Sequence, residues 1–271
     1  MTVRGIIFDL DGVLWRGRLP IEGAAETLAT LRREGFRVAF CTNNSTRHRS
    51  EVAEKLRSMG MPAEADEVFT AGALAASIIA RDWQGRPVLM VGEAGLRREL
   101  TEAGVELTDD PDVAGLVVMG WDREISFDKY RRAHRAIEAG AHFLATNPDL
   151  TFPEADGGSA PGCGGLSAVL VASTGVQPEC HGKPDPALFA SIAAEWGLEP
   201  HQVGAVGDRL DTDLGAARRF GCLGILVLSG VTTQVDLDGL DAASKPDVVL
   251  ASVVDVDRGV EGGSDRVGRG A

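Results

Sequence analysis

No apolar run in the chain approaches the roughly 18 residues that a bilayer-crossing helix requires, so no membrane span is written in it. Cysteine is sparse: Cys41, Cys163, Cys180 and Cys222 stand far apart with no CxxC pair. That spacing leaves neither a zinc knuckle nor a disulfide framework, and the thiols read as buried packing groups. Basic residues are in deficit, 27 against 40 acidic ones, for a formal charge of −13. Such a surplus repels phosphate backbones and anionic lipid at long range, which excludes wholesale nucleic-acid or membrane binding. Met1-Thr2-Val3-Arg4 leads straight into a strand-like segment without a signal-peptide pattern, so the expected location is cytoplasmic. His48, His134, His142, His181 and His201 form no metal-ligand spacing, and Trp15 and Trp121 read as packing residues.

What remains is an ordinary globular composition over 271 residues, 44% apolar and 25% charged, enough for one large domain or two compact ones. Short continuous apolar runs recur at Gly5–Phe8, Val38–Cys41, Val203–Val206, Ile225–Leu228 and Asp247–Leu250, each bounded by turn formers. Between them lie helical patterns: Ala24, Leu28 and Leu31 share one face before Gly35, and Leu188, Ile192 and Trp196 share another before Gly197. Continuous strands alternating with helices predict an α/β fold, a doubly wound parallel sheet. Residues 86–180 carry their own signals, with strands at Val88–Val91, Leu116–Met119 and His142–Ala145 and a helix around Tyr130–Ala139. They read as an inserted α/β domain, leaving 1–85 and 181–257 as a discontinuous core of ordinary domain size. Residues 258–271 hold five glycines and little to bury, and are expected to be a disordered tail.

The polar residues that could carry chemistry fall at the ends of the predicted strands. The first strand ends in Asp9-Leu10-Asp11-Gly12, two carboxylates where open α/β sheets bind ligands. Crowded carboxylates stay ionised mainly with a cation between them, and magnesium is the obvious one. Asp-x-Asp alone also occurs in surface turns and in metal sites of glycosyl transferases. The second strand ends in Thr42-Asn43-Asn44, whose hydroxyl and backbone N–H groups suit phosphate oxygens, though a polar turn or helix cap has the same look. In His181-Gly182-Lys183-Pro184-Asp185-Pro186 a lysine is fixed between rigid neighbours just before a helix, with Asp185 as N-cap and Pro186 at the first helical position. Asp208, after Val206-Gly207, could complete a metal site, while Asp211 or Thr212 caps the helix through Leu214, Ala217 and Phe220.

Taken in order, Asp9-x-Asp11-Gly12, Thr42-Asn43, Lys183-Pro184 and Gly207-Asp208 followed by Asp213 resemble the haloacid dehalogenase superfamily. The stretches Asp9–Gly17 and Thr42–Ser45 look like its NagD-like branch, which includes phosphoglycolate, pyridoxal phosphate, glycerol phosphate and 4-nitrophenyl phosphate phosphatases. Only 30 residues separate Asp11 from Thr42 while 140 separate Thr42 from Lys183, so a large cap must occupy the second interval. The resemblance implies a Rossmann-like core and a magnesium-dependent phosphatase of small phosphorylated metabolites, such as sugar, polyol or glycolate phosphates. A dehalogenase is disfavoured, having no need of a proton donor such as Asp11. The competing reading from another class is a catalytically silent phosphometabolite-binding protein on the same fold.

By the same resemblance Asp9 is the nucleophile, and Asp11 is the general acid and base that also lends its backbone carbonyl to magnesium. Asp208 is the other direct metal ligand, Thr42, Asn43 and Lys183 bind phosphate, and Asp213 orients a metal water or Lys183. Asn147, Asp149, Gly162, Cys163 and Gly164 resemble cap loops that select substrate, and similar proteins often dimerise through the cap. The Gly162-Cys163-Gly164-Gly165 run does not follow the first strand as a dinucleotide fingerprint would. Asp149, Glu154 and Asp156, with no Lys or Arg between Asn147 and Gly165, favour a neutral polyol phosphate over a substrate with a second anion. Arg47, Arg123 and His181 are left open as substrate contacts.

Overall fold

The computed structural model describes residues 3–153, 158–241, 244–257 and 259–260. The chain divides into two compact units, one comprising Met1–Thr42, Val52–Phe69 and Lys183–Ala271, the other Asn43–Glu51 and Thr70–Gly182. The expected boundaries at 85/86 and 180/181 thus fall elsewhere: residues 43–51 and the helix Ala71–Asp82 group with the inserted unit.

In the first unit, six strands form one sheet in the order Val248–Leu250, Leu223–Val227, Val203–Gly207, Gly5–Phe8, Arg37–Thr42, Val68–Thr70. Pairing is parallel from Val248–Leu250 across to Arg37–Thr42. Ile6, Ile7 and Phe8 on the central strand are fully buried, as expected of a strand covered on both faces. One face packs with Leu28 and Leu31 of the helix Ala24–Arg33, together with Phe40, Ile225, Val253 and Val256. Leu226 belongs to a separate cluster with Leu214 and Leu237. Ala187–Trp196 ends at Gly197 in the left-handed conformation (φ 62°), where a side chain would be strained.

The inserted unit is a second, five-stranded parallel sheet in the order Glu179–Cys180, His142–Ala145, Leu116–Met119, Val88–Val91, Leu107–Thr108. Strand alternation divides its core in two. Val117 and Met119 pack with Ala133, Ile137 and Leu170 of the helices Phe127–Glu138 and Cys163–Thr174. Leu116 and Val118 pack with Ala75, Ile79, Leu96 and Leu100 of the helices Ala71–Asp82 and Ala94–Glu102. Among the described residues no helix is long and apolar enough to cross a membrane.

Three expectations shift. The helix after Lys183 starts at Ala187 with Pro186 as N-cap, although Asp185 Oδ1 still accepts the Ala187 N–H at 2.9 Å. The helix expected around Tyr130–Ala139 begins at Phe127, because Ser126 caps it by accepting the Lys129 N–H. Of the expected tail, Gly259 and Val260 are described, and Val260 is 3% exposed within the main core cluster; the rest of 258–271 lies outside the described residues. Hydrophobic content averaged over a glycine-rich stretch hid this one anchoring valine. Val260→Ala is expected to lower unfolding free energy by about 1–2 kcal/mol, the loss of buried methyl groups plus a residual cavity. Urea titration checks it, and an unchanged midpoint would mean that Val260 anchors nothing.

Candidate active site

The strands Gly5–Phe8 and Val203–Gly207 are neighbours, with Phe8 opposite Val206. The chain builds the sheet outward from Gly5–Phe8 through Arg37–Thr42 on one side, then resumes with Val203–Gly207 on the other. This is a topological switch point, where diverging connections leave a crevice at the carboxyl edge. The register delivers Asp9 and Asp208 there, and the Asp9 N–H donates to Val206 O at 2.8 Å.

Lys183, 2% exposed, joins the carboxylates: its Nζ donates to Asp9 Oδ1 at 2.5 Å and Asp213 Oδ1 at 2.7 Å, and lies 3.4 Å from Cys41 O. Asp213, the first residue of the helix Asp213–Phe220, accepts the Asp208 and Arg209 N–H groups on Oδ2 at 3.2 and 3.1 Å. Thr212 is the N-cap without a side-chain bond, so neither it nor Asp211 caps this helix in the expected way; Asp213 closes the turn. Gly12, at φ 84°, backs against Asp208 so closely that a Cβ would strike its carboxylate.

Asp9, Asp208 and Asp213 each offer an oxygen within 4.8 Å of the others. Two unit charges at that separation repel by about 3.5 kcal/mol at an effective dielectric of 20. Burial, opposed by Lys183 and reinforced by Asp213 and Asp208, holds the Asp9 carboxyl well above the usual carboxylate range. Burial, with Asp213 adding to it, pushes Asp208 up to about 7. Burial works against the Lys183 ammonium, but Asp213 and Asp9 outweigh it and keep it well above the ordinary lysine value. Burial also pushes the Cys41 thiol up to about 12, which leaves it an inert packing group.

A cluster of hard carboxylate oxygens with an unbalanced negative charge suits a divalent oxygen-loving cation. The donor set fits magnesium. Asp213 has both oxygens engaged, Oδ1 by Lys183 and Oδ2 by two amides, so its evident task is to orient its neighbours. Asp11 is outside the carboxylate cluster: it is exposed, and its Oδ1 accepts the Trp15 indole N–H at 2.7 Å. The expected metal contact of Asp11 was through its carbonyl, which this side-chain placement leaves intact. Trp15, read only as packing, thus orients Asp11, with Lys55 Nζ 3.8 Å above its ring. Thr42 ends its strand and is 5% exposed.

The remaining candidates belong to the inserted unit. Asn43 Nδ2 donates to both oxygens of Asp149 at 3.2 Å, and Asn147 Nδ2 donates to Asn43 O at 2.8 Å. Asn147 Oδ1 accepts the Asp149 N–H at 3.1 Å. The Gly162 and Gly164 N–H groups donate to Leu150 O and Asp149 O, and Cys163, 1% exposed, directs its thiol to Met119 O at 3.3 Å. These side chains buttress one another. Arg123 forms a two-pronged pair with Glu93, His181 donates toward Glu179 at 2.8 Å, and Arg47 is exposed. Glu154 and Asp156 lie outside the described residues. The sequence reading missed the loop Ser229–Thr232: Val231 N–H donates to Asp208 Oδ2 at 2.7 Å and Ser229 Oγ to Gly12 O at 2.7 Å. Its signal was available, since polar and glycine residues follow an apolar strand at the same carboxyl edge.

Residues 6–106 match the haloacid dehalogenase-like hydrolase family model, and residues 180–256 match the HAD-hydrolase-like model. An acid sugar phosphatase of Staphylococcus epidermidis is 37% identical over 231 residues, 85% of this chain and 88% of that one. A p-nitrophenyl phosphatase from Archaeoglobus fulgidus superposes with TM-score 0.89 at 37% identity, covering 97% of this chain and all of that one. The glycerol phosphate phosphatase of Mycobacterium tuberculosis in complex with magnesium gives TM-score 0.86 at 33% identity, covering 93% of this chain and 76% of that one. With this similarity along nearly its whole length, and with the parallel core sheet and inserted α/β unit of those structures, the chain belongs to the haloacid dehalogenase-like hydrolases, in their NagD-like phosphatase branch.

Proposed function

We propose that the chain is a magnesium-dependent phosphatase of small phosphorylated metabolites, sugar or polyol phosphates among them, working through an aspartyl phosphate on Asp9. The observation that carries this is the placement of Asp9 at the switch point, with one oxygen held by buried Lys183 and Asp208 beside it. The names of the similar phosphatases support the substrate class.

Phosphoryl transfer asks the protein mainly for placement and charge neutralisation. Lys183 takes one oxygen of Asp9, so the other is the attacking atom. It bonds to phosphorus while the ester P–O bond breaks, and Asp11 gives its proton to the departing alkoxide oxygen. Trp15 donates to Asp11 Oδ1, which leaves Oδ2 available for the proton transfer. In the second half Asp11 takes a proton from water, the water oxygen bonds to phosphorus and the bond to Asp9 breaks, releasing inorganic phosphate. Lys183 and Thr42 hold phosphate oxygens, while Asp213 keeps the ammonium and the Asp208 backbone in place. Asp9, Asp208 and the Asp11 carbonyl would hold magnesium, which would supply positive charge that offsets the phosphate and carboxylates.

Asp9→Asn keeps an oxygen for Lys183 but removes the nucleophile. It is expected to cut kcat on 4-nitrophenyl phosphate by about a thousandfold or more at an undiminished melting temperature. Retention of a tenth of the parental kcat would exclude Asp9 as nucleophile.

Stability of the metal-free protein carries a second signature. With Asp208 near 7 when folded and 3.8 as the ordinary value, the native state holds a proton that the unfolded chain releases between these pH values. The stabilisation from that proton is complete below pH 3.8 and is lost as pH rises through about 7. Relative to the parent in EDTA, Asp208→Asn should therefore gain stability as pH rises from about 4 to about 7. Urea unfolding at several pH values measures it, and a difference independent of pH would contradict the assignment.

A further inference from the structure

Three segments far apart in sequence meet around Asp208. Its Oδ2 accepts the Val231 N–H at 2.7 Å and its carbonyl accepts the Thr232 N–H at 3.1 Å. Two residues earlier, Ser229 is 9% exposed and its Oγ donates to Gly12 O at 2.7 Å. Ser229 O in turn accepts from Arg16 Nε at 2.5 Å, and Arg16 belongs to the short hairpin that follows the Asp11 turn. The packing is close: a Cβ on Gly230 would strike the Asp208 carboxylate, and one on Gly12 would meet both that carboxylate and Gly230. The loop is thus bonded at one end to Asp208 and at the other to the carbonyl of Gly12, the residue after Asp11.

We propose that Ser229 is a positioning residue, its hydroxyl locking the Asp11-Gly12 turn to the loop whose Val231 N–H fixes the Asp208 carboxylate. The inference rests on the reading of Asp208 as a magnesium ligand and of Asp11 as the proton-transfer group. Its physical basis is geometric. With Oδ2 committed to Val231, Asp208 presents Oδ1 alone, which suits the strict octahedral geometry of magnesium better than a freely rotating carboxylate does. The turn carrying Asp11 is tied to that same loop, so the metal ligand and the proton-transfer group keep a fixed spacing. Removing the hydroxyl leaves Gly12 O without its buried donor and frees the turn to shift relative to Asp208.

The test compares the parent, Ser229→Ala, Ser229→Thr and Arg16→Gln. Magnesium affinity is read by calorimetric titration of the protein with magnesium chloride, separately from turnover of 4-nitrophenyl phosphate. Ser229→Ala should weaken magnesium binding about tenfold and lower kcat about tenfold, with KM for the ester within about twofold, as expected for loss of an outer-shell partner. Ser229→Thr keeps the hydroxyl and should restore most of both. Arg16→Gln, at an exposed position and thus safe for folding, should move both in the same direction by a smaller factor. A lower melting temperature in Ser229→Ala with magnesium affinity and kcat both within twofold of the parent would overturn the proposal. So would equal losses in Ser229→Ala and Ser229→Thr when both are folded. A parent that neither binds magnesium nor turns over the ester would instead overturn the underlying reading of the site, which separates the two failures.

Discussion

The ion cluster of Asp9, Lys183 and Asp213 sets the terms for the rest of the core unit. Three carboxylates, those of Asp208 and Asp213 buried and that of Asp9 half-buried, lie within 4.8 Å of one another and repel strongly, and the Lys183 ammonium bridges two of them. Such a group is tolerable only if each polar atom finds a fixed partner. The strand register places Asp9, the helix start places Asp213, and glycines at 12 and 230 let backbone come close enough to enclose Asp208. The residual negative charge makes the site suited to a divalent cation and an anionic phosphate together. Structural cost and chemical capacity therefore have one origin, the removal of these groups from water.

The inserted unit manages its own polar burial differently. Arg49 donates to the Glu99 carboxylate at 2.6 Å through Nη2, and its backbone N–H donates to Glu99 Oε1 at 2.9 Å. Glu99 is 1% exposed, and His48 beside it reaches Glu102 at 3.1 Å. Gly95 N–H also donates to Thr46 O at 3.1 Å. These bonds assign Asn43–Glu51 to the inserted unit although the segment directly follows a core strand. Glu99 is enclosed while the Arg49 side chain is 39% exposed, so solvent screens the ion pair and the attachment of the segment rests as much on the backbone N–H bonds to Glu99 and Thr46 as on the charges. The Asn43, Asn147 and Asp149 bonds continue the same arrangement, so residues resembling a substrate-selecting loop also serve as internal buttresses.

Much of this was legible in the amino-acid order. Continuous apolar strands ending in Asp9, Thr42 and Gly207-Asp208 indicated a parallel sheet and its carboxyl edge, because backbone periodicity and turn chemistry are local properties. The inserted unit was visible as a long interval with its own strand and helix signals. Its boundaries were not, since Asn43–Glu51 and Ala71–Asp82 are assigned by partners distant in the chain. Val260 shows the same limit at the other end, a single valine whose burial depends on Leu28, Val253 and Val256 lying nearby in the fold.

The sequence by itself determined the sheet type, the order of the polar strand ends and the residue types gathered there. Tertiary structure alone decided which oxygen of each carboxylate is engaged. That Asp213 uses both oxygens, that Trp15 takes one oxygen of Asp11, and that the loop after Leu223–Val227 closes on Asp208 all depend on hydrogen bonds between separated segments. Their directions follow from the paths of several strands and loops at once, whereas a motif states only which chemical groups reach the same edge.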